Sequence, residues 1–169
     1  MDIVNIIIGN ICSLLAMVAD SISSVQKTTK RMLWMQNLSQ LFYCVGTVFL
    51  KGYSAAVQNA LSIVRNLVAI KQINSKVLEW ILVVLGVVLG LGFNNRGWMG
   101  LLPVIANLQY TLAVFRFNDN ERALKTSFMI SVGLFAIFNF VIYNVVGLFT
   151  NSIVVITTAI YLLKKPVSK

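Results

Sequence analysis

The sequence predicts an all-α integral membrane protein, and three observations carry that expectation. Of its 169 residues, 58% are hydrophobic and only 11% are charged, against about 25% charged in an average soluble domain. Its apolar residues fall into runs close to the roughly 20 residues that cross a bilayer as helix. Its cations lie between those runs and are unevenly shared between alternate connections.

The first run, 3–25, has no basic stretch before it and leads straight into others like it, so it reads as a span and not as a cleavable signal. The second, 32–50, follows Lys27, Lys30 and Arg31 and stops at Lys51-Gly52, a turn pair. The third, 54–70, is apolar yet carries Gln58, Asn59, Ser62, Arg65 and Asn66. The fourth, 77–93, ends at Asn94-Asn95-Arg96-Gly97, and the remaining spans are 98–115, 126–143 and 148–163. Seven spans with short connections make one membrane domain over 1–169.

Orientation follows from the cations. An N-terminus outside places Lys27, Lys30, Arg31, Lys71, Lys76, Arg116, Arg122, Lys125, Lys164, Lys165 and Lys169 on one side and Lys51 and Arg96 on the other, leaving Arg65 in the membrane. Eleven against two puts the C-terminus in the cytoplasm. A net charge of +9 spread between apolar runs offers no basic face, which argues against nucleic acid as a partner. Cys12 and Cys44 lie inside apolar runs at no metal-ligand spacing. With no histidine, no paired carboxylates and no serine or cysteine beside a base, the chain lacks the parts of an enzyme. No catalytic residue, metal or cofactor is expected.

Shifting the chain by 92 positions lays the first three spans on the last three. Asn59 then meets Asn151, Gln58 meets Thr150, Arg65 meets Thr157, Asn66 meets Thr158, Tyr43 meets Phe135 and Lys30 meets Arg122; each aromatic precedes its asparagine by 16 residues. The pattern of polar positions repeats more than the residues do. It gives a 3+1+3 plan: a three-helix unit over 3–70, a linker helix at 77–93 and a second unit over 98–163. An odd linker allows the two units to lie parallel, as in parallel-repeat transporters.

This plan, the outside N-terminus, and the paired asparagines with aromatics upstream resemble the SWEET/SemiSWEET/PQ-loop superfamily. Within it, the stretch "ADSISSVQKTTKRMLWMQNLSQLFY" is most similar to the YgjV family of bacterial inner-membrane proteins, over the whole chain. The resemblance implies a bacterial inner-membrane location and a central solute site at Asn59 and Asn151, with Tyr43 and Phe135 beside them. The chain departs from the pattern in having Val25-Gln26 and Phe117-Asn118 where Pro-Gln hinges the first helix of each unit. Pro103 offers a hinge in the second unit alone, and the tryptophans of sugar carriers are missing at 43 and 135.

At about 100° per residue, Gln58, Asn59, Ser62, Arg65 and Asn66 share an arc of about 120°. Gln36, Gln40, Tyr43 and Thr47 share another in the second span, Pro103, Asn107, Tyr110 and Thr111 in the fifth, and Thr150, Asn151, Thr157, Thr158 and Tyr161 in the seventh. Such stripes line a polar interior or bond helices together. For Asn59 and Asn151 a substrate site is the expectation, with Gln58, Gln40 and Asn107 as further candidates. Asp20 and Arg65 each lie five residues before the cytoplasmic end of their span. Unpaired, each is costly there, so the expectation is an ion pair that acts as a clamp or inner gate. Gly86 and Gly90 form GxxxG, read as packing within the bundle; a homo-oligomer through that face is left open.

The expected function is facilitated, alternating-access passage of a small neutral hydroxylated or heterocyclic solute such as a sugar, nucleoside or vitamin. Proton coupling is not expected while Asp20 is committed to Arg65. The alternative is a non-transporting scaffold or sensor in the lipid bilayer. No ring of like charges suggests a channel.

Overall fold

A computed structural model describes residues 2–73, 75–117 and 119–164. Asn118, Lys165 and Lys169, which figure in the sequence expectations, lie outside them. Seven helices follow in order: α1 Ile3–Ser24, α2 Thr29–Phe49, α3 Tyr53–Ile70, α4 Lys76–Gly92, α5 Leu101–Arg116, α6 Glu121–Val141 and α7 Val145–Lys164. A single 3-10 turn, Gly97–Gly100, leads into α5.

Two sequence expectations are corrected here. The sixth helix begins at Glu121, five residues before the expected 126, because Asn120 caps it by accepting from the Ala123 N–H at 3.0 Å. Arg122 and Lys125 are therefore helical residues and not loop cations. Pro103 stands in the first turn of α5, where its missing N–H breaks no intrahelical bond. It starts a helix and does not hinge one.

Helix limits recur at an interval of 92 residues. α2 runs 29–49 and α6 runs 121–141; α3 and α7 begin at 53 and 145. Both α2 and α6 end in the same way. Lys51 and Tyr143 adopt the left-handed conformation, with φ of 54° and 58°. The N–H groups of Gly52 and Asn144 reach back to the Thr47 and Asn139 carbonyls at 2.8 and 2.9 Å, the bond pattern that closes a helix through a left-handed residue. Lys51, not Gly52, takes the unusual conformation.

Among the described residues, four segments are long and apolar enough to cross a membrane: α1, Gly97–Arg116, α6 and α7. α2 and α3 have a lower mean hydropathy because they bury Gln36, Asn37, Ser39 and Thr47, and Gln58, Asn59, Ser62, Arg65 and Asn66. α4 has 17 residues and is about 26 Å long at 1.5 Å per residue. The outer surface is apolar, and the interior holds many polar side chains beside its apolar ones, unlike a soluble bundle. Ile3, Ile7, Ile11, Leu14, Val18 and Ile22 make an exposed stripe on α1, while Ser13, Asp20, Ser23 and Ser24 on the same helix are buried.

Packing closes a ring. α1 lies against α2 and α7, α2 against α3, α3 against α5, α5 against α6, and α6 against α7. α4 stands outside the ring, across α3 and α5. A Cβ on Gly86 would stand 3.5 Å from Gln58 Oε1, and one on Gly90 would overlap Gln58 Nε2 and a Val104 methyl. The GxxxG face is thus spent on α3 and α5.

Candidate functional site

Two apolar clusters divide the interior. Leu50, Ala55, Phe138 and Ile142 pack together near the α2–α3 and α6–α7 turns. Met32, Leu33, Ala69, Val114, Leu124 and Phe128 belong to a larger cluster toward the opposite, basic end. Between them lies a narrow cavity of about 30 Å³, room for one or two waters. Its walls are Asp20 of α1; Gln40, Tyr43 and Thr47 of α2; Asn59, Ser62 and Arg65 of α3; Tyr110 of α5; Phe128, Ser131, Val132, Phe135 and Asn139 of α6; and Asn151 of α7.

Asn59, Asn151, Tyr43, Phe135 and Gln40, expected together from the sequence, all stand on this wall. The Tyr43 hydroxyl donates to Asn151 Oδ1 at 2.6 Å. The Asn59 amide nitrogen, on a residue 2% exposed, has no partner, and neither does Gln40 Oε1. A buried amide left unbonded costs about 1–3 kcal/mol, which a water or a ligand in the cavity would recover.

Gln58 and Asn107 are placed differently. Gln58 Nε2 donates to the Gly86 carbonyl of α4 at 2.7 Å, and Asn107 Nδ2 donates to Gln58 Oε1 at 2.7 Å. Asn107 Oδ1 accepts from the Ser62 hydroxyl at 2.8 Å and from Arg65 Nη1 at 2.7 Å. This chain ties α3, α4 and α5 together with its groups satisfied. The single polar stripe of α3 is two surfaces: Asn59 turns to the cavity, Gln58 to a helix interface, and Ser62 and Arg65 border both.

The expected Asp20–Arg65 ion pair is absent. Ion pairs form elsewhere, Arg116–Glu79 at 3.2 Å and Lys125–Glu121 at 2.9 Å. Arg65, 1% exposed, gives Nε to Asn66 Oδ1 at 3.0 Å and Nη1 to Asn107, and its guanidinium lies 4.5 Å over the Tyr110 ring. Asp20, also 1% exposed, accepts from the Ser39 hydroxyl at 2.5 Å. The reason is adjacency: α1 packs on α2 and α7, so equal depth on α1 and α3 does not bring the two side chains together. They are connected through neutral residues instead. Ser39 Oγ is also 2.9 Å from the Gln36 carbonyl, and Gln36 Oε1 accepts from the Tyr110 hydroxyl at 2.9 Å.

Sequence reasoning missed Lys125, Ser131 and Asn139. The last two had a signal. A shift of 92 pairs Ser39 with Ser131 and Thr47 with Asn139, and three of these four line the cavity, while Ser39 holds Asp20. Lys125, fully buried, closes the basic end. Its Nζ donates to the Gln26 carbonyl at 3.0 Å and sits 3.4 Å from the Tyr161 ring centre, while the Tyr161 hydroxyl donates to Glu121 at 2.9 Å. Beside it the Thr158 hydroxyl bonds to Ser24 at 3.0 Å. At the other end Asn144 Nδ2 donates to Ser13 at 2.8 Å and the Val146 N–H to Asn10 Oδ1 at 2.9 Å. Both ends of the cavity are closed by bonds that join residues before 60 to residues after 120.

Residues 7–166 match the family model for Imp-YgjV, bacterial inner membrane protein. No curated protein and no solved structure matches the chain. The chain belongs to this family of bacterial inner-membrane proteins.

Proposed function

From that membership, we propose that this inner-membrane protein is a carrier that passes a small polar solute by alternating access. In this reading all seven helices cross the membrane, with the N-terminus outside and the C-terminus in the cytoplasm. Residues 3–70 and 98–163 are two parallel three-helix units on a SWEET-like 3+1+3 plan, and α4 is the linker. The observation that supports it most is the central cavity. It is walled by both units, sealed at each end, and holds an unbonded amide at Asn59. Asn59 Nδ2 and Gln40 Oε1 leave hydrogen-bonding capacity on the wall of that space.

A second reading, a scaffold or sensor without transport, draws on the Gln58–Asn107–Ser62–Arg65 chain, which bonds helices and leaves little to a solute. The two are separated by single cysteines at 59 and 151, in a chain with Cys12 and Cys44 replaced by serine. A membrane-impermeant thiol reagent applied to right-side-out and to inverted vesicles should reach both positions from each face in turn. Protection from both faces would leave the scaffold. The same vesicles test topology: a cysteine at 51 or 96 should label from outside, and one at 30 or 122 only from the cytoplasmic face. Outside labelling of 122 would end the seven-span plan.

A further inference from the structure

The cavity wall holds one carboxyl group and one guanidinium that form no ion pair with each other. Arg65 cannot shed its proton inside a protein, so the cavity carries a permanent positive charge whose bonded partners are neutral: Asn66, Asn107, Thr111 and the Tyr110 ring. A buried cation without a counter-ion is expensive at membrane depth, and the wall it shares with Asn59 and Tyr43 is where a counter-ion would sit. Asp20, on the same wall, is able to change its charge. The titratable and charged groups around it are Tyr43 of α2, Arg65 of α3 and Tyr110 of α5. Lys30 and Arg31 lie at the basic end of α2, and Tyr161 and Lys164 at that of α7. Cys12 shares its helix.

Ser39 suits both forms of Asp20. Its hydroxyl has one proton and two acceptors in reach, Asp20 Oδ1 at 2.5 Å and the Gln36 carbonyl at 2.9 Å. With Asp20 ionised, Ser39 donates to it. With Asp20 protonated, the carboxyl O–H donates to Ser39 Oγ and Ser39 donates onward to Gln36. In both states Asp20 Oδ1 and Ser39 Oγ stay hydrogen-bonded to each other.

Resting on the carrier reading, we propose that the cavity takes a small monocarboxylate, of formate to acetate size, seated against the Arg65 guanidinium together with one proton on Asp20. The fit is one of charge and of size. When Asp20 is ionised, its charge offsets that of Arg65 and repels an anion. When it is protonated, the wall is left with a single positive charge. An anion and a proton then enter as a neutral pair, the form least costly to hold in a low-dielectric interior. With Nε and Nη1 of Arg65 engaged by Asn66 and Asn107, Nη2 is the nitrogen left to donate to a carboxylate, and Asn59 Nδ2 stands free to donate a further bond. A cavity of about 30 Å³, with room for one or two waters, takes formate or acetate with a small outward shift of its walls and is far too small for a sugar ring. The neutral solute expected from sequence rests on an amide-rich lining; proton coupling is not expected there while Asp20 is committed to Arg65, and Asp20 is instead held by Ser39.

The test uses the purified full chain in detergent, with melting temperature read against sodium formate and sodium acetate, and against sodium chloride, glucose and adenosine as comparators. Formate or acetate should raise the melting temperature beyond chloride at equal ionic strength. Because the anion brings one proton, the apparent affinity should rise as pH falls between about pH 6 and 8, where acetate itself stays ionised. The rise is at most about tenfold per unit while free Asp20 is ionised, and less once Asp20 is protonated without ligand. Asp20→Asn should bind acetate with no pH dependence. Arg65→Lys should keep a weakened response, and Arg65→Gln, if it folds, should lose it. An acetate response without pH dependence in the unaltered protein overturns the proposal, as does silence toward both carboxylates. In the latter case, labelling of 59 and 151 from both faces still upholds the carrier, whereas protection from both faces ends that reading too.

Discussion

α3 and α7 occupy matched places 92 residues apart, yet they differ in what surrounds them. α3 is contacted by α2, α4 and α5 and buries nine of its 18 residues, an arginine among them. α7 is contacted by α1 and α6 and buries five of 20, exposing Phe149, Ile153, Ile156, Ile160 and Leu163. The extra neighbour is α4. By lying across α3 and α5 it covers a face that on α7 is exposed, and it supplies the Gly86 carbonyl that Gln58 needs. A polar stripe is affordable on a helix screened from lipid and costly on one that is not. Gln58, Arg65 and Asn66 stand where α7 has Thr150, Thr157 and Thr158. Thr150 and Thr158 are buried too, but their hydroxyls bond back to their own helix at 3.1 and 2.7 Å, whereas Gln58 and Arg65 reach partners on α4 and α5. One further neighbour makes two helices in matched places unequal.

The strongest way to break this asymmetry is at Asn107, where Gln58, Ser62 and Arg65 converge. Asn107→Leu should cost about 3–5 kcal/mol of unfolding free energy, because it strands part of a buried charge. Its counterpart Leu15 is half exposed, and Leu15→Ala should stay within about 0.5 kcal/mol. Denaturant titration in mixed micelles reads both, and equal losses would mean that the α3 side is not specially organised.

Next is α4 docking. Gly90→Leu forces a side chain into Gln58 and Val104 and should cost about 1–3 kcal/mol. Gly92→Leu, with nothing within 4 Å of the added Cβ, should leave the melting temperature near that of the parent. A marked loss from the second variant would show that α4 has a partner on its other face.

The smaller comparison is between the two asparagines. Asn151→Leu leaves the buried Tyr43 hydroxyl without its acceptor and should cost about 1–2 kcal/mol, much of it recovered when Tyr43→Phe is added. Asn59→Leu removes an amide whose nitrogen is unbonded, so it should change stability by less than about 0.5 kcal/mol, in either direction. If Asn59→Leu is the costlier of the two, Asn59 is packing glue and the cavity loses its clearest free donor.

Much of this was legible in the residues. Apolar runs with the length of a bilayer fix helices, since a backbone without water must bond to itself. The interval of 92 could be read from Asn59 and Asn151, and the helix limits and the left-handed residues at 51 and 143 fall on it. Helical periodicity also showed that Gln58, Asn59 and Arg65 share a side of α3. It could not show which neighbour each one meets, because an angle about one helix says nothing of which helix stands there. Tertiary structure settled that by laying α4 over Gln58, turning Asn59 to the cavity, and putting α2 and α7 beside Asp20 in place of α3. Charges separated along the chain pair only where packing brings their helices together, so the partners of Asp20 and Arg65 were decided by adjacency, and adjacency is a property of the whole bundle.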